Sequence, residues 1–242
     1  MGFLKGKTAI ITGGGRSVLK DGSCGSIGYG IATAYAKEGA NLVITGRNKQ
    51  KLADAKEELE RLYNIEVLPV QADVSADADN ETVVQNVIDE TIAKFGRIDV
   101  LINNAQASAS GVTLADHTTG QFDLALYSGL YAAFYYMKAC YPHLKEAKGS
   151  VINFASVPDY LETMVNVLML QRKKESVVLP ELPQMNGVLT ASMLISFVHS
   201  HGQHSLKISS RLILKPLKLM LKCLLQDIME MLRKKSEEYA FS

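Results

Sequence analysis

Short apolar runs rich in β-branched residues alternate along the first part of the chain with longer stretches of helical periodicity. Thr8-Ala9-Ile10-Ile11 is the first run, and it ends at the cluster Gly13-Gly14-Gly15. Residues 41–45, 67–70, 98–102 and 150–154 predict four more strands. Between the strands, apolar positions recur at helical spacing over 27–37, 50–63, 81–95 and about 119–139, with Gly39 as a stop after the first. Strands separated by helices of this length make βαβ units and a parallel sheet. The fold class is therefore α/β, a Rossmann-type doubly wound parallel sheet. Right-handed crossovers bring the loops after its strands to one ligand-binding edge.

Composition divides the chain in two. Sixteen of the 18 glycines lie before position 157, and seven of the nine methionines lie after it. This predicts a dinucleotide-binding Rossmann domain over 1–156 and an aberrant segment over 157–242. The net charge of +1 gives no electrostatic argument for nucleic acid. Cys24, Cys140 and Cys223 show neither metal-ligand spacing nor a disulfide framework, which points to a reducing compartment. No uncharged apolar run is long enough to span a bilayer, and the opening residues lack a signal-type apolar region. A cytoplasmic protein without a membrane or metal partner is expected.

The first loop carries the chemistry. Gly13 follows the first strand, and Ser26-Ile27-Gly28 opens the first helix. Glycines there let backbone approach a pyrophosphate, and the helix N-terminus favours its charge. A tight strand-to-helix turn would use glycine too, but the position in the first βαβ unit favours a dinucleotide. Where an acidic residue would hold the ribose of NAD, after the second strand, the chain has Arg47. Its guanidinium fork suits a 2′-phosphate, which favours NADP over NAD, although a solvated surface arginine would look the same.

Taken in order, Gly6-Lys7, Thr12-Gly13 with Ser26-Ile27-Gly28, Asp73-Val74, Asn103-Asn104-Ala105 and Asn153-Phe154-Ala155-Ser156 make the chain resemble the short-chain dehydrogenase/reductase family. The likeness covers about residues 3–156. It implies strand order 3-2-1-4-5, adenine contacts from Asp73 and Val74, and a cofactor lined by Asn104 and Ala105. It also implies a catalytic serine at Ser156, a small carbonyl or alcohol substrate, and a homo-oligomer. Within that span the sequence departs from the family in three places. The loop between Gly13 and Ser26 is long, Gln106 replaces a glycine, and Gly129 beside Ser128 stands where a proton-relay asparagine is usual.

The family's Tyr-x-x-x-Lys pair is missing from its place. Lys173 stands where the lysine falls, but the tyrosine position holds Met169, whose thioether cannot donate a proton. Tyr141-Pro142-His143-Leu144-Lys145 fits the spacing but precedes the fifth strand, and Pro142 is expected to break its helix. Restoring a single base after the Ser156 codon allows residues 155–173 to read ASGAGLFGNYGQCSYAAAK, with a tyrosine at position 169 and its lysine at 173. Residues 157–242 are accordingly read as an out-of-frame (frameshift) translation of the family's C-terminal half.

The sheet is then expected to stop after the fifth strand, leaving a bare apolar edge, low stability, an impaired oligomer interface and an irregular or helical C-terminal segment. The run Leu212–Lys222, interrupted by Pro216, is read as an ordinary packing face rather than a membrane-binding helix. Two functions follow. One is an NADP-dependent oxidoreductase of a carbonyl or alcohol. The other is a catalytically inactive, truncated dinucleotide-binding protein.

Overall fold

The computed structural model describes residues 2–155 apart from 21, 23, 76–78, 110, 111 and 114, together with the backbone of 189–194. Its strands are β1 (Thr8–Thr12), β2 (Asn41–Gly46), β3 (Val67–Gln71), β4 (Val100–Asn103), β5 (Ser150–Ala155) and β6 (Leu189–Leu194). They pair in parallel in the order β3-β2-β1-β4-β5-β6. Helices α1 (Ile27–Lys37) and α2 (Lys49–Tyr63) cover one face, and α3 (Asn80–Phe95) and α5 (Ala132–Ala147) the other. Helix α4 (Thr119–Leu126) runs into α5 through a π turn, Tyr127–Tyr131.

Successive strand side chains point to opposite faces, and both faces are covered. Ala9, Ile11, Leu42, Ile44, Ile102 and Ile152 therefore pack with α1 and α2, while Ile10, Val43, Leu101 and Val151 pack with α3 and α5. This explains why the strands read as continuous apolar runs. The doubly wound parallel class and the order of the first five strands agree with the expectation.

Two expectations need correction. The sheet does not end at β5, because β6 lies beside it in register from Ser150↔Leu189 to Ala155↔Leu194. A strand edge with unpaired N–H and C=O groups takes a partner where the chain supplies one. Nor does Pro142 break its helix, since α5 runs through it to Ala147. Proline forfeits one backbone bond, but Tyr136, Met137, Cys140 and Leu144 are buried on both sides of it, and that packed face holds the helix. Tyr141 and Lys145 consequently share a helix face, with the ammonium 6.0 Å from the ring centroid. They sit near the start of β5, where the Gly149 N–H bonds the Leu144 carbonyl, at the edge opposite the strand ends.

One buried carboxylate ties that opposite edge. Asp99 is 4% exposed and accepts hydrogen bonds from Lys7 Nζ (2.9 Å), the Thr8 N–H (3.0 Å), Arg97 Nε (2.7 Å) and Arg97 Nη2 (2.6 Å). Burial alone would raise its pKa. The Arg97 and Lys7 cations and the Thr8 amide outweigh burial and hold the carboxyl below its ordinary value.

Candidate functional site

A cavity of about 300 Å³ opens at the C-terminal ends of the first five strands. Its floor is set by Thr12, which is buried at the end of β1. The Thr12 hydroxyl accepts the backbone N–H groups of Asn104 (2.9 Å) and Ala105 (2.8 Å) and donates to the Ile102 carbonyl (3.3 Å). Asn104 Nδ2 returns a bond to the Thr12 carbonyl at 2.8 Å. Two glycines close on that amide. A Cβ on Gly13, whose φ is +75°, would lie 2.9 Å from Asn104 Nδ2. One on Gly28 would lie 2.1 Å from the Gly13 carbonyl oxygen. Side chains are thus excluded where the first loop meets the start of α1.

The turn after β2 is pinned at every carbonyl. The Thr45 oxygen accepts the N–H groups of Gly13 (2.8 Å) and Gly14 (3.1 Å), and the Gly46 oxygen accepts that of Ala72 (3.1 Å). Gln71 Nε2 donates to the Arg47 oxygen at 2.9 Å, and the Leu52 N–H to the Asn48 oxygen at 3.2 Å. Asn48 also caps α2, its side chain accepting the Lys51 N–H at 2.9 Å. Arg47 borders the cavity, and its guanidinium has no hydrogen bond or ion pair among the described residues.

Of the residues singled out in the sequence, Gly13, Arg47, Asp73, Val74, Asn104 and Ala105 all border this cavity. Ser26, Ile27 and Gly28 do not. Ser26 caps α1, its hydroxyl accepting the Tyr29 N–H at 3.4 Å, Ile27 packs on the core, and Gly28 backs onto Gly13. Their part is to bring the start of α1 up to the loop. Ser156, Met169 and Lys173 lie outside the described residues.

Several wall residues were not singled out for the cavity. Ser128, in the π turn, is buried, and its hydroxyl accepts the Ala107 N–H at 3.0 Å. Its one proton is shared between the Leu124 carbonyl (2.6 Å) and the Ala107 carbonyl (3.2 Å). Helix and β4 loop are thereby joined beside Gly129. The buried Tyr136 hydroxyl lies 3.5 Å from Thr45 Oγ1, and desolvation pushes its pKa up to about 12. Asn103 Nδ2 donates to Asn153 Oδ1 at 2.8 Å, while the buried Asn103 Oδ1 has no partner among the described residues. A hydroxyl after β1 is visible in Thr12-Gly13, but nothing in sequence spacing signals a π turn. Among the described residues no three His, Cys, Asp or Glu side chains converge, and no helix is long and apolar enough to cross a membrane.

A backbone cradle that admits no Cβ, an unpaired guanidinium beside it and a cavity at the strand ends suit a dinucleotide phosphate chain. Known proteins bear on the same edge. The sequence model of a family described as Enoyl-(Acyl carrier protein) reductase matches residues 22–174. The chain is 65% identical over 156 residues to a 12alpha-hydroxysteroid dehydrogenase of Clostridium sp., covering 64% of this chain and 58% of that protein. It is 34% identical over 151 residues to an 11-beta-hydroxysteroid dehydrogenase of Pinus massoniana, covering 61% of this chain and 40% of that protein. The matched stretches thus cover 58% and 40% of these relatives' own length. Among solved structures, a short chain dehydrogenase from Burkholderia cenocepacia in complex with NADP is 28% identical, with a TM-score of 0.62 over 74% of this chain and 67% of that one. A short chain dehydrogenase from Mycobacterium smegmatis shares the fold at a TM-score of 0.72 and 22% identity, over 93% of this chain and 86% of that one. The family match extends over more than half of the residues: the chain belongs to the short-chain dehydrogenase/reductase family of oxidoreductases.

Proposed function

We propose that the described part of the chain is the cofactor half of an NADP-dependent oxidoreductase. The observation that carries this reading is the unpartnered Arg47 beside the cavity, set against the side-chain-free approach of Gly13 and Gly28. Asp73 and Val74 would hold the adenine end, Arg47 the 2′-phosphate and Gly13 the pyrophosphate, with Ser26, Ile27 and Gly28 bringing the N-terminus of α1 up behind it. Asn104 and Ala105 would face the nicotinamide ribose. The bound nicotinamide supplies or accepts a hydride. In the parent reaction Ser156 would orient the carbonyl or hydroxyl oxygen, and Lys173 would lower the pKa of the tyrosine that passes its proton. The 65% identity to a protein named 12alpha-hydroxysteroid dehydrogenase supports a steroid hydroxyl or ketone as the substrate. A cytoplasmic homo-oligomer is the matching assembly.

For this polypeptide a second reading is favoured by Met169. Without a phenol at that position the chain binds cofactor and does not turn over. The stretch of 65% identity is 156 residues long, the same length as the segment preceding the change in composition, which supports two units, 1–156 and an out-of-frame 157–242. Titration with NADPH, followed by its fluorescence, should give saturable binding, and absence of saturation overturns the cofactor reading. NADPH oxidation with steroid ketones should be undetectable, and clear turnover would overturn the second. Sequencing the gene across codons 155–158 decides the frame: stops in the neighbouring frame, or codons that cannot spell SYAAAK, end that explanation.

A further inference from the structure

The turn that presents Arg47 is held almost wholly by backbone. The carbonyls of Thr45, Gly46 and Asn48 all accept from main-chain N–H groups that also serve the sheet, the first loop or α2. Arg47 is the exception, since its carbonyl is held by a side chain, the Nε2 of Gln71 at 2.9 Å. Gln71 is the last residue of β3 and lies in register with Gly46 on β2. Its backbone belongs to the sheet, and the next residue, Ala72, bonds Gly46. The amide therefore reaches the residue that carries the free guanidinium from a rigid base.

We infer that Gln71 is a positioning residue for cofactor choice: by fixing the Arg47 carbonyl it aims the guanidinium at the 2′-phosphate. The inference rests on the assignment of Arg47 to NADP. Its physical basis is preorganisation. A long side chain whose backbone is already fixed loses less freedom on meeting its anion. Leucine at 71 keeps the strand and removes the donor. Glutamate keeps the length, cannot donate, and adds a charge that repels phosphate.

The test uses the full chain and two fragments of the cofactor, 2′,5′-ADP and 5′-AMP, titrated calorimetrically. The wild-type chain should prefer 2′,5′-ADP. Gln71→Leu should cut that preference by about 3- to 10-fold, the worth of one net hydrogen bond, with 5′-AMP affinity unchanged. Gln71→Glu should cut it further, and Arg47→Leu should abolish it. If the wild type prefers 2′,5′-ADP and Gln71→Leu keeps the full preference, the positioning role is wrong while Arg47 stands, whatever the added charge of Gln71→Glu does. If the wild type shows no preference, or binds neither fragment, the assignment of Arg47 fails and the inference fails with it.

Discussion

Replacing Thr12 by valine changes a hydroxyl to a methyl at nearly constant shape, so it isolates what that oxygen contributes to the cavity floor. Thr12 is 4% exposed. Its Oγ1 satisfies two backbone N–H groups, at 2.9 and 2.8 Å, on residues that border the site. In the valine variant both part-buried amides lose this acceptor. Each buried donor left unpaired costs about 1–3 kcal/mol, so the two together predict a loss of about 2–5 kcal/mol after partial relaxation. Against a total stability of about 5–15 kcal/mol this is severe. Thr12→Ser keeps the acceptor and removes one methyl, which costs about 1 kcal/mol. Urea denaturation at neutral pH measures both. The expected result is a much lower midpoint for valine than for serine, at equal slope. Near-equal losses would refute the reasoning, because the methyl rather than the oxygen would then carry the effect.

Other changes test other parts of the molecule. Asp99→Asn should destabilise by about 1–3 kcal/mol at pH 7, since it weakens charged hydrogen bonds from the half-exposed Lys7 and Arg97. The Asp99 pKa is lowered on folding, so its contribution is complete above the ordinary carboxylate value and disappears as pH falls through the folded one. The gap between wild type and variant should therefore close in acid, and a gap unchanged from pH 7 to pH 3 would contradict this. Gly28→Ala forces a Cβ to within 2.1 Å of the Gly13 oxygen, so the first loop must move and NADPH affinity should fall at least tenfold. Unaltered affinity would remove Gly28 from the cradle. Ser128→Ala removes the bond that ties the Ala107 N–H to the π turn and should weaken NADPH several-fold while leaving 2′,5′-ADP, which lacks the nicotinamide half, unaffected. Equal weakening of both ligands would place its effect elsewhere.

Elements whose signal is local were legible in the sequence. The span 27–37 is α1 as observed, and 150–154 lies within β5. Apolar runs at these lengths between glycine stops leave little choice of element. The position of Gly13 and Arg47 at the strand-end cavity was legible because each follows an apolar run that reads as a strand. What was not legible depends on neighbours far along the chain. Whether Pro142 ends a helix is decided by how much of α5 is packed, not by proline alone. Gln71 is an unremarkable polar residue at the end of a strand until the Arg47 carbonyl is seen opposite it. The register of β6 against β5 had no precursor in a segment whose composition had been read as foreign to the fold.

The bond from Thr12 to Asn104 also sets an order of assembly. Its partners are 92 residues apart, and the Asn103–Asn153 bond beside it spans 50. Contacts of such separation are slow to form because a long loop must close first. During synthesis β1 emerges early and waits for β4, so the floor of the cavity cannot close until residue 105 has left the ribosome. By the time residue 155 follows, every residue of the described cavity walls has emerged. The described walls of the pocket thus come from the nascent chain's first two-thirds, with every lining residue before the point where the composition changes.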